Sequence, residues 1–165
     1  MAFFAATCVL GQSAVSISGE TTAGTIVELP SASSGKYCVV AIAASKKAEP
    51  MLQEWYEPAY LRFVAKQGLF ATEHEVDLWM VPIFTGLNKT AFGPSIKRLK
   101  EEADPEIASH VVFVKDDAAK LLTAMGIKEK DAPYFFLFDP KGKLIHQVHG
   151  DFTVEKLDDL EEAMN

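Results

Sequence analysis

Val39-Val40-Ala41-Ile42-Ala43-Ala44-Ser45-Lys46-Lys47-Ala48-Glu49-Pro50 is the stretch whose reading decides the fold. Its apolar run extends back through Cys38 to Tyr37 and leaves no polar position to face water, the pattern of a strand covered on both faces. Ser45-Lys46-Lys47 then breaks the run, and Pro50 suits the first turn of a helix, where a missing N–H costs no hydrogen bond. Beyond it Leu52, Trp55, Ala59 and Phe63 recur at helical spacing and define one buried face. Pro58 lies inside that helix, lacks a backbone donor, and predicts a kink. A buried strand, a polar turn and an amphipathic helix are the opening of a β–α–β unit.

Upstream, residues 12–24 are rich in Ser, Thr and Gly and read as an extended lead-in, followed by a short strand over Thr25–Leu29 that Pro30 closes. Downstream, Val76–Phe84 is a second buried strand, with Pro82 suited to its end rather than its centre. Gly86–Lys89 is a turn, Pro94–Glu102 a helix, and His110–Val114 a third strand. Asp116 can cap the helix that ends near Gly126. Tyr134–Phe138 and Lys143–Val148 are strands paired as a hairpin by Asp139-Pro140-Lys141-Gly142. A last helix spans Thr153 to Met164, with Val154, Leu157, Leu160 and Ala163 on its apolar face. This order requires parallel central strands joined by crossover helices, with an antiparallel pair at one edge.

At 165 residues, the chain suits one domain that buries roughly 70% of its unfolded surface. The division expected is a signal-peptide remnant over 1–14 and the folded domain over 15–165. The remnant is read from the apolar run Met1–Gly11, which has no Lys or Arg ahead of it; a buried first strand is the alternative. Eleven residues are too few to span a membrane, so no stable membrane insertion is expected, and the protein reads as periplasmic or secreted, otherwise cytoplasmic. A net charge of −7 excludes a general nucleic-acid binder, which needs a basic face for phosphates. The late cluster Asp151, Glu155, Asp158, Asp159, Glu161 and Glu162 reads as the solvated face of the last helix.

Two cysteines, Cys8 and Cys38, match no metal or Cys-x-x-Cys spacing, and Cys38 sits inside the apolar strand as a small hydrophobe. His146 and His149 are three apart on a strand, point to opposite faces and cannot chelate one metal. His74, among Glu73, Glu75 and Asp77, reads as solvent-facing, and His110 as the start of a strand. Trp79, Met80, Phe84 and Phe92 read as core, or in part as a partner surface. Nothing marks a cofactor or metal site.

Three stretches carry a family resemblance. Gly24–Ser45 resembles the approach to the active-site turn of exported thiol–disulfide oxidoreductases of the thioredoxin-like superfamily. Lys120–Ile127 resembles the short helix before their second active-site loop, and Asp131–Ile145 that loop and its hairpin. The resemblance implies an α/β, thioredoxin-like fold: a central mixed β-sheet flanked by helices, with a strand-and-helix insertion. It also implies that Pro133 is the family's cis-proline. Where the family carries Cys-x-x-Cys, this chain has Lys47-Ala48-Glu49-Pro50, so thiol–disulfide exchange is not expected.

The expected function is therefore a redox-inactive domain binding a protein or peptide through the former active-site turn and the cis-proline loop, with Ser45, Lys46, Lys47, Glu49, Ala132 and Pro133 as its binding residues. Helix N-termini attract anions, and the lysines add charge beside one. The loop before the proline can offer backbone hydrogen bonds to an extended chain. Three alternatives stand beside it: an enzyme or small-ligand protein reusing this turn, a thiol-dependent oxidoreductase acting through Cys38, and a plain loop solvated by Lys46, Lys47 and Glu49. Oligomeric state is not legible.

Overall fold

The structure, a computed structural model, describes residues 15–69, 71–84, 90, 92–114 and 117–165, with the side chains at 92, 95, 96 and 99 outside the description. The apolar run at Met1–Gly11, Cys8 and any bridge from it to Cys38, the 86–89 turn, the Asp116 cap and the Phe92 side chain therefore lie outside the described residues. In chain order the elements are β1 (Ile17–Thr21), β2 (Ile26–Leu29), β3 (Tyr37–Ala43), α1 (Ala48–Ala59), β4 (Val76–Pro82), α2 (Phe92–Glu102), α3 (Pro105–Ser109), β5 (Val112–Phe113), α4 (Ala118–Ala124), β6 (Tyr134–Phe138), β7 (Leu144–His149) and α5 (Val154–Glu162).

β3 is the spine of the sheet. It pairs parallel with β4, Val40 opposite Trp79, and antiparallel with β6, Val40 opposite Phe136. With partners on both sides and helices on both faces, it has no side toward water, which is why its sequence is continuously apolar. The two-residue period still sorts its side chains. Cys38, Val40 and Ile42 enter one core with Ile17, Trp79, Leu122 and Phe136, while Val39, Ala41 and Ala43 enter the other with Trp55, Phe63, Leu157 and Leu160. The second of these is the layer of α1 and α5; Leu52, Trp55, Ala59 and Phe63 are all buried in it, as their spacing predicts.

The remaining strands extend the sheet both ways. β7 adds antiparallel to β6, giving the order β4-β3-β6-β7, and β1 joins β2 and β5 in a second ladder ordered β2-β1-β5. Parallel bridges from Met80 to Val111 and from Ile83 to Val114 connect the ladders into one mixed sheet. β1 lies within residues 12–24, which the sequence presents as an extended lead-in. Its short polar residues hid a strand whose signal is tertiary: Ile17 pairs with Leu29, and Gly19 lies so close to β5 that a Cβ there would sit 2.5 Å from Val112 Cγ1. The hairpin at Asp139–Gly142 forms as expected. Asp139 Oδ1 accepts from Lys141 N and Lys143 N, each at 2.9 Å, and Gly142 takes the positive φ that such a turn requires.

Three further details add to the sequence reading or differ from it. The cis peptide bond among the described residues joins Leu29 to Pro30, and Ala132–Pro133 is trans, the isomer an X-Pro bond ordinarily favours by about 0.5–1 kcal/mol. Pro58 lies inside α1, where a kink is predicted, and two residues later the chain enters a π-helical turn, Tyr60–Val64, closed by Ala65 N to Tyr60 O at 2.9 Å. In α5 the apolar face is narrower than the periodicity implies. Leu157 and Leu160 are buried but Val154, in the first turn, is 53% exposed. Thr153 caps that helix by accepting from Lys156 N, and Tyr37 Oη holds its far end by donating to Met164 O at 2.7 Å.

Candidate functional site

Three segments meet at the C-terminal end of β3: the turn Ser45–Lys47, the first turn of α1, and the loop that enters β6. Ser45 organises the turn. Its Oγ accepts from Lys47 N at 3.2 Å, its carbonyl accepts from Ala48 N at 3.2 Å, and its hydroxyl donates to Asp131 Oδ1 at 3.1 Å. Lys47 Nζ donates to the other carboxylate oxygen, Oδ2, at 2.9 Å. One carboxylate thereby ties together segments 84 and 86 residues apart in the chain.

The electrostatics follow from that contact. The hydrogen bond to Asp131, with its charge, pushes the Lys47 ammonium above its ordinary range. Hydrogen bonds from Lys47 and then Ser45 hold the Asp131 carboxyl below its ordinary range. Both side chains are well exposed, so the pair fixes geometry more than it adds stability.

Of the residues expected here, Ser45 and Lys47 are joined. Lys46 and Glu49 are exposed beside them, and Ala132 and Pro133 are buried beneath Asp131 in sequence. Pro133 O accepts from Gly150 N at 3.0 Å, which anchors the loop to the turn after β7. Asp131 is the member that sequence reasoning passed over. Its signal was present, a carboxylate two residues before the proline, but nothing in one dimension placed it against Lys47. Trp55 was read only as core, yet its Nε1 donates to Gly150 O at 2.9 Å and its ring stacks on Phe135 at 4.2 Å. It couples the helix that begins at the turn to the loop that faces it.

The helix N-terminus offers anions less than expected. Ala48 N is already bonded to Ser45 O, Pro50 carries no N–H, and Asp131 occupies Lys47. Nor does the turn hold a nucleophile. Cys38 is 1% exposed at the opposite end of β3, seven residues from Ser45, or about 23 Å along a strand. Burial pushes its thiol up to about 12, the nearby Asp77 charge adding to this against a hydrogen bond with Ser33. A thiol in that state is inert at neutral pH.

The histidines behave as the register dictates. His146 lies opposite Leu137 and His149 opposite Tyr134, on opposite faces, with His149 stacked on the Tyr134 ring at 5.0 Å. His74 is half-buried rather than fully solvent-facing, edge-on to Tyr37 and with Nε2 3.2 Å from Asn165 Oδ1. His110 precedes β5, its ring 4.8 Å from Trp79. Among the described residues no three His, Cys, Asp or Glu side chains converge as a metal-ligand set. Trp79 and Phe84 are core, Met80 is half-buried.

The architecture is thioredoxin-like: a mixed sheet flanked by helices, with a polar turn between β3 and α1. Solved structures with the same fold include the exposed lipoprotein thioredoxin Etrx1 of Streptococcus pneumoniae, 17% identical, with a TM-score of 0.62 over 90% of this chain and 99% of that one. A thioredoxin-family thiol:disulfide interchange protein of Chlorobium tepidum is 20% identical, with a TM-score of 0.54 over 90% and 92%. StoA of Bacillus subtilis is 19% identical, with a TM-score of 0.55 over 90% and 98%. No family model matches the chain, and no curated protein matches it in sequence. Among the described residues no helix is long and apolar enough to cross a membrane.

Proposed function

We propose that this is a redox-inactive thioredoxin-like protein that binds an extended polypeptide across the turn Ser45–Glu49 and the loop Asp131–Pro133. The observation that carries the reading is the replacement of a thiol site by a polar latch. Where the fold's oxidoreductases act, this chain has Lys47-Ala48-Glu49-Pro50, closed onto the facing loop by Asp131. A latch of two exposed charges is cheap to open, so a partner's own carboxylate or backbone carbonyl can replace one member without a large cost. Lys46 and Glu49, exposed on either side of Lys47, add a cation and an anion for side-chain selection. We also read the chain as exported. The apolar run Met1–Gly11 supports this, as does the naming of the Streptococcus pneumoniae neighbour as an exposed lipoprotein.

Affinity capture from the native extract tests the binding site, comparing the intact protein with a Lys46→Ala, Lys47→Ala, Glu49→Ala variant. A polypeptide held by the first and lost by the second is the expected result. One held equally by both refutes the placement at this turn. Reduction of insulin disulfides in the presence of dithiothreitol tests redox inactivity, with a rate at the uncatalysed background expected.

A further inference from the structure

A groove of about 460 Å³ opens between the turn that joins β1 to β2 and the helices α2 and α3. It is not the site described above. Thr21 pairs with Val112, Val111 bridges Met80, and Met80 pairs with Ala41, so β1 carries its turn toward the N-terminal ends of β3 and β4, whereas Ser45 follows the C-terminal end of β3.

The lining divides by chemistry. Trp79, Val27 and Ala108 supply an apolar floor, and Thr21 and Thr22 supply hydroxyls although they are only 6% and 7% exposed. The Thr22 hydroxyl donates to Ala108 O at 3.2 Å. Thr21 Oγ1 instead accepts from Thr25 N at 3.3 Å, which leaves its own O–H hydrogen to donate elsewhere. Among the described residues that line the groove, the charged one is Lys100, a cation in a chain of net charge −7. Two of the neighbouring acids have other partners: Glu101 lies 3.9 Å from Lys97, and Asp104 Oδ1 accepts from Glu106 N at 2.8 Å to cap α3, while Glu102 is exposed beside Ala103.

A buried hydroxyl donor, one ammonium and an apolar floor are complementary to a single kind of small molecule. We propose that this groove binds a monocarboxylate with an aromatic or apolar body. The carboxylate takes the Lys100 ammonium and the Thr21 O–H, and the body lies on Trp79. A volume of this size is within the range of small-molecule sites, roughly 300–1,000 Å³. One cation, with no second basic group among the described lining residues, suits a monoanion better than a phosphate.

Calorimetric titration of the full chain with 2-naphthoate, and with its neutral isostere 2-naphthamide, tests the assignment, with the Trp79 indole N–H resonance as the reporter of place. Saturable naphthoate binding that shifts the Trp79 signal, with naphthamide at least about fivefold weaker, is expected. Lys100→Gln removes that preference, while Lys97→Gln, on the same helix, leaves it. Thr21→Ser keeps the hydroxyl and binds as the parent does, and Thr21→Val weakens naphthoate. Equal binding of the two ligands, a preference that survives Lys100→Gln, a Trp79 signal that does not move, or no saturation at millimolar ligand each overturns the proposal.

Discussion

Trp55→Phe is the substitution in which packing and site geometry meet. Trp55 is 0% exposed, stacks on Phe135 at 4.2 Å and 30°, meets Phe152 edge-on at 5.3 Å, and donates to Gly150 O at 2.9 Å. Phenylalanine retains a ring against Phe135 but gives up the pyrrole part of the indole and the N–H. The lost apolar contact is worth about 1 kcal/mol. Gly150 is half-buried, so its orphaned carbonyl can reach water, and the hydrogen bond sits at the low end of its range, about 1 kcal/mol. Trp55→Phe should therefore cost about 2 kcal/mol, which for a chain of this length lowers Tm by about 4–8 °C. Trp55→Ala removes both rings and should cost about 3–5 kcal/mol. Urea unfolding followed by circular dichroism at 222 nm measures both, independently of tryptophan emission. A Trp55→Phe cost below about 0.5 kcal/mol, or one equal to that of Trp55→Ala, would refute the claim that the indole N–H ties α1 to the loop after β7.

Other expectations are as direct. Cys38, at 1% exposure and with its thiol pushed up to about 12, should resist maleimide in the folded protein at pH 7 and react only once urea unfolds it; rapid native-state labelling would restore the thiol-dependent reading. The Lys47–Asp131 latch has a pH window whose sign is set by its members. Asp131 is held below its ordinary carboxylate range, so its contact persists above about pH 4 and is lost as the pH falls through its folded value. Lys47 is held above its ordinary range, so the contact is present below about pH 10 and lost as the pH rises further. Carbon-detected NMR of the Asp131 carboxyl should show both limits, and a midpoint at or above the ordinary carboxylate value would exclude the contact in solution. Gly19→Ala would place a Cβ 2.8 Å from Phe113 O as well as against Val112, and backbone cannot swing aside; a loss of about 1–3 kcal/mol in urea midpoint analysis is expected, and a neutral outcome would show that β1 does not lie against β5 as described.

Much of the fold was written in local pattern. The unbroken apolar run at Tyr37–Ala44 could only be a strand covered on both faces, and Leu52, Trp55, Ala59 and Phe63 could only be one face of a helix. The Asp139–Gly142 hairpin and the absence of a thiol at Lys47–Pro50 were equally plain, because turn chemistry and side-chain identity are properties of adjacent residues. What depended on residues far apart was decided only in three dimensions. β1 became a strand because Ile17 and Gly19 found β2 and β5, not because its own residues favour one. Ala132–Pro133 is trans although its place in the chain suggested the opposite. Asp131 gained its role by meeting Lys47 across 84 residues, and the groove of about 460 Å³ exists because the β1–β2 turn, Trp79 and Lys100 converge from three separate elements. Periodicity is a one-dimensional signal and composes elements; the pairing of charges and the lining of cavities are set by the distances between elements, which folding alone establishes.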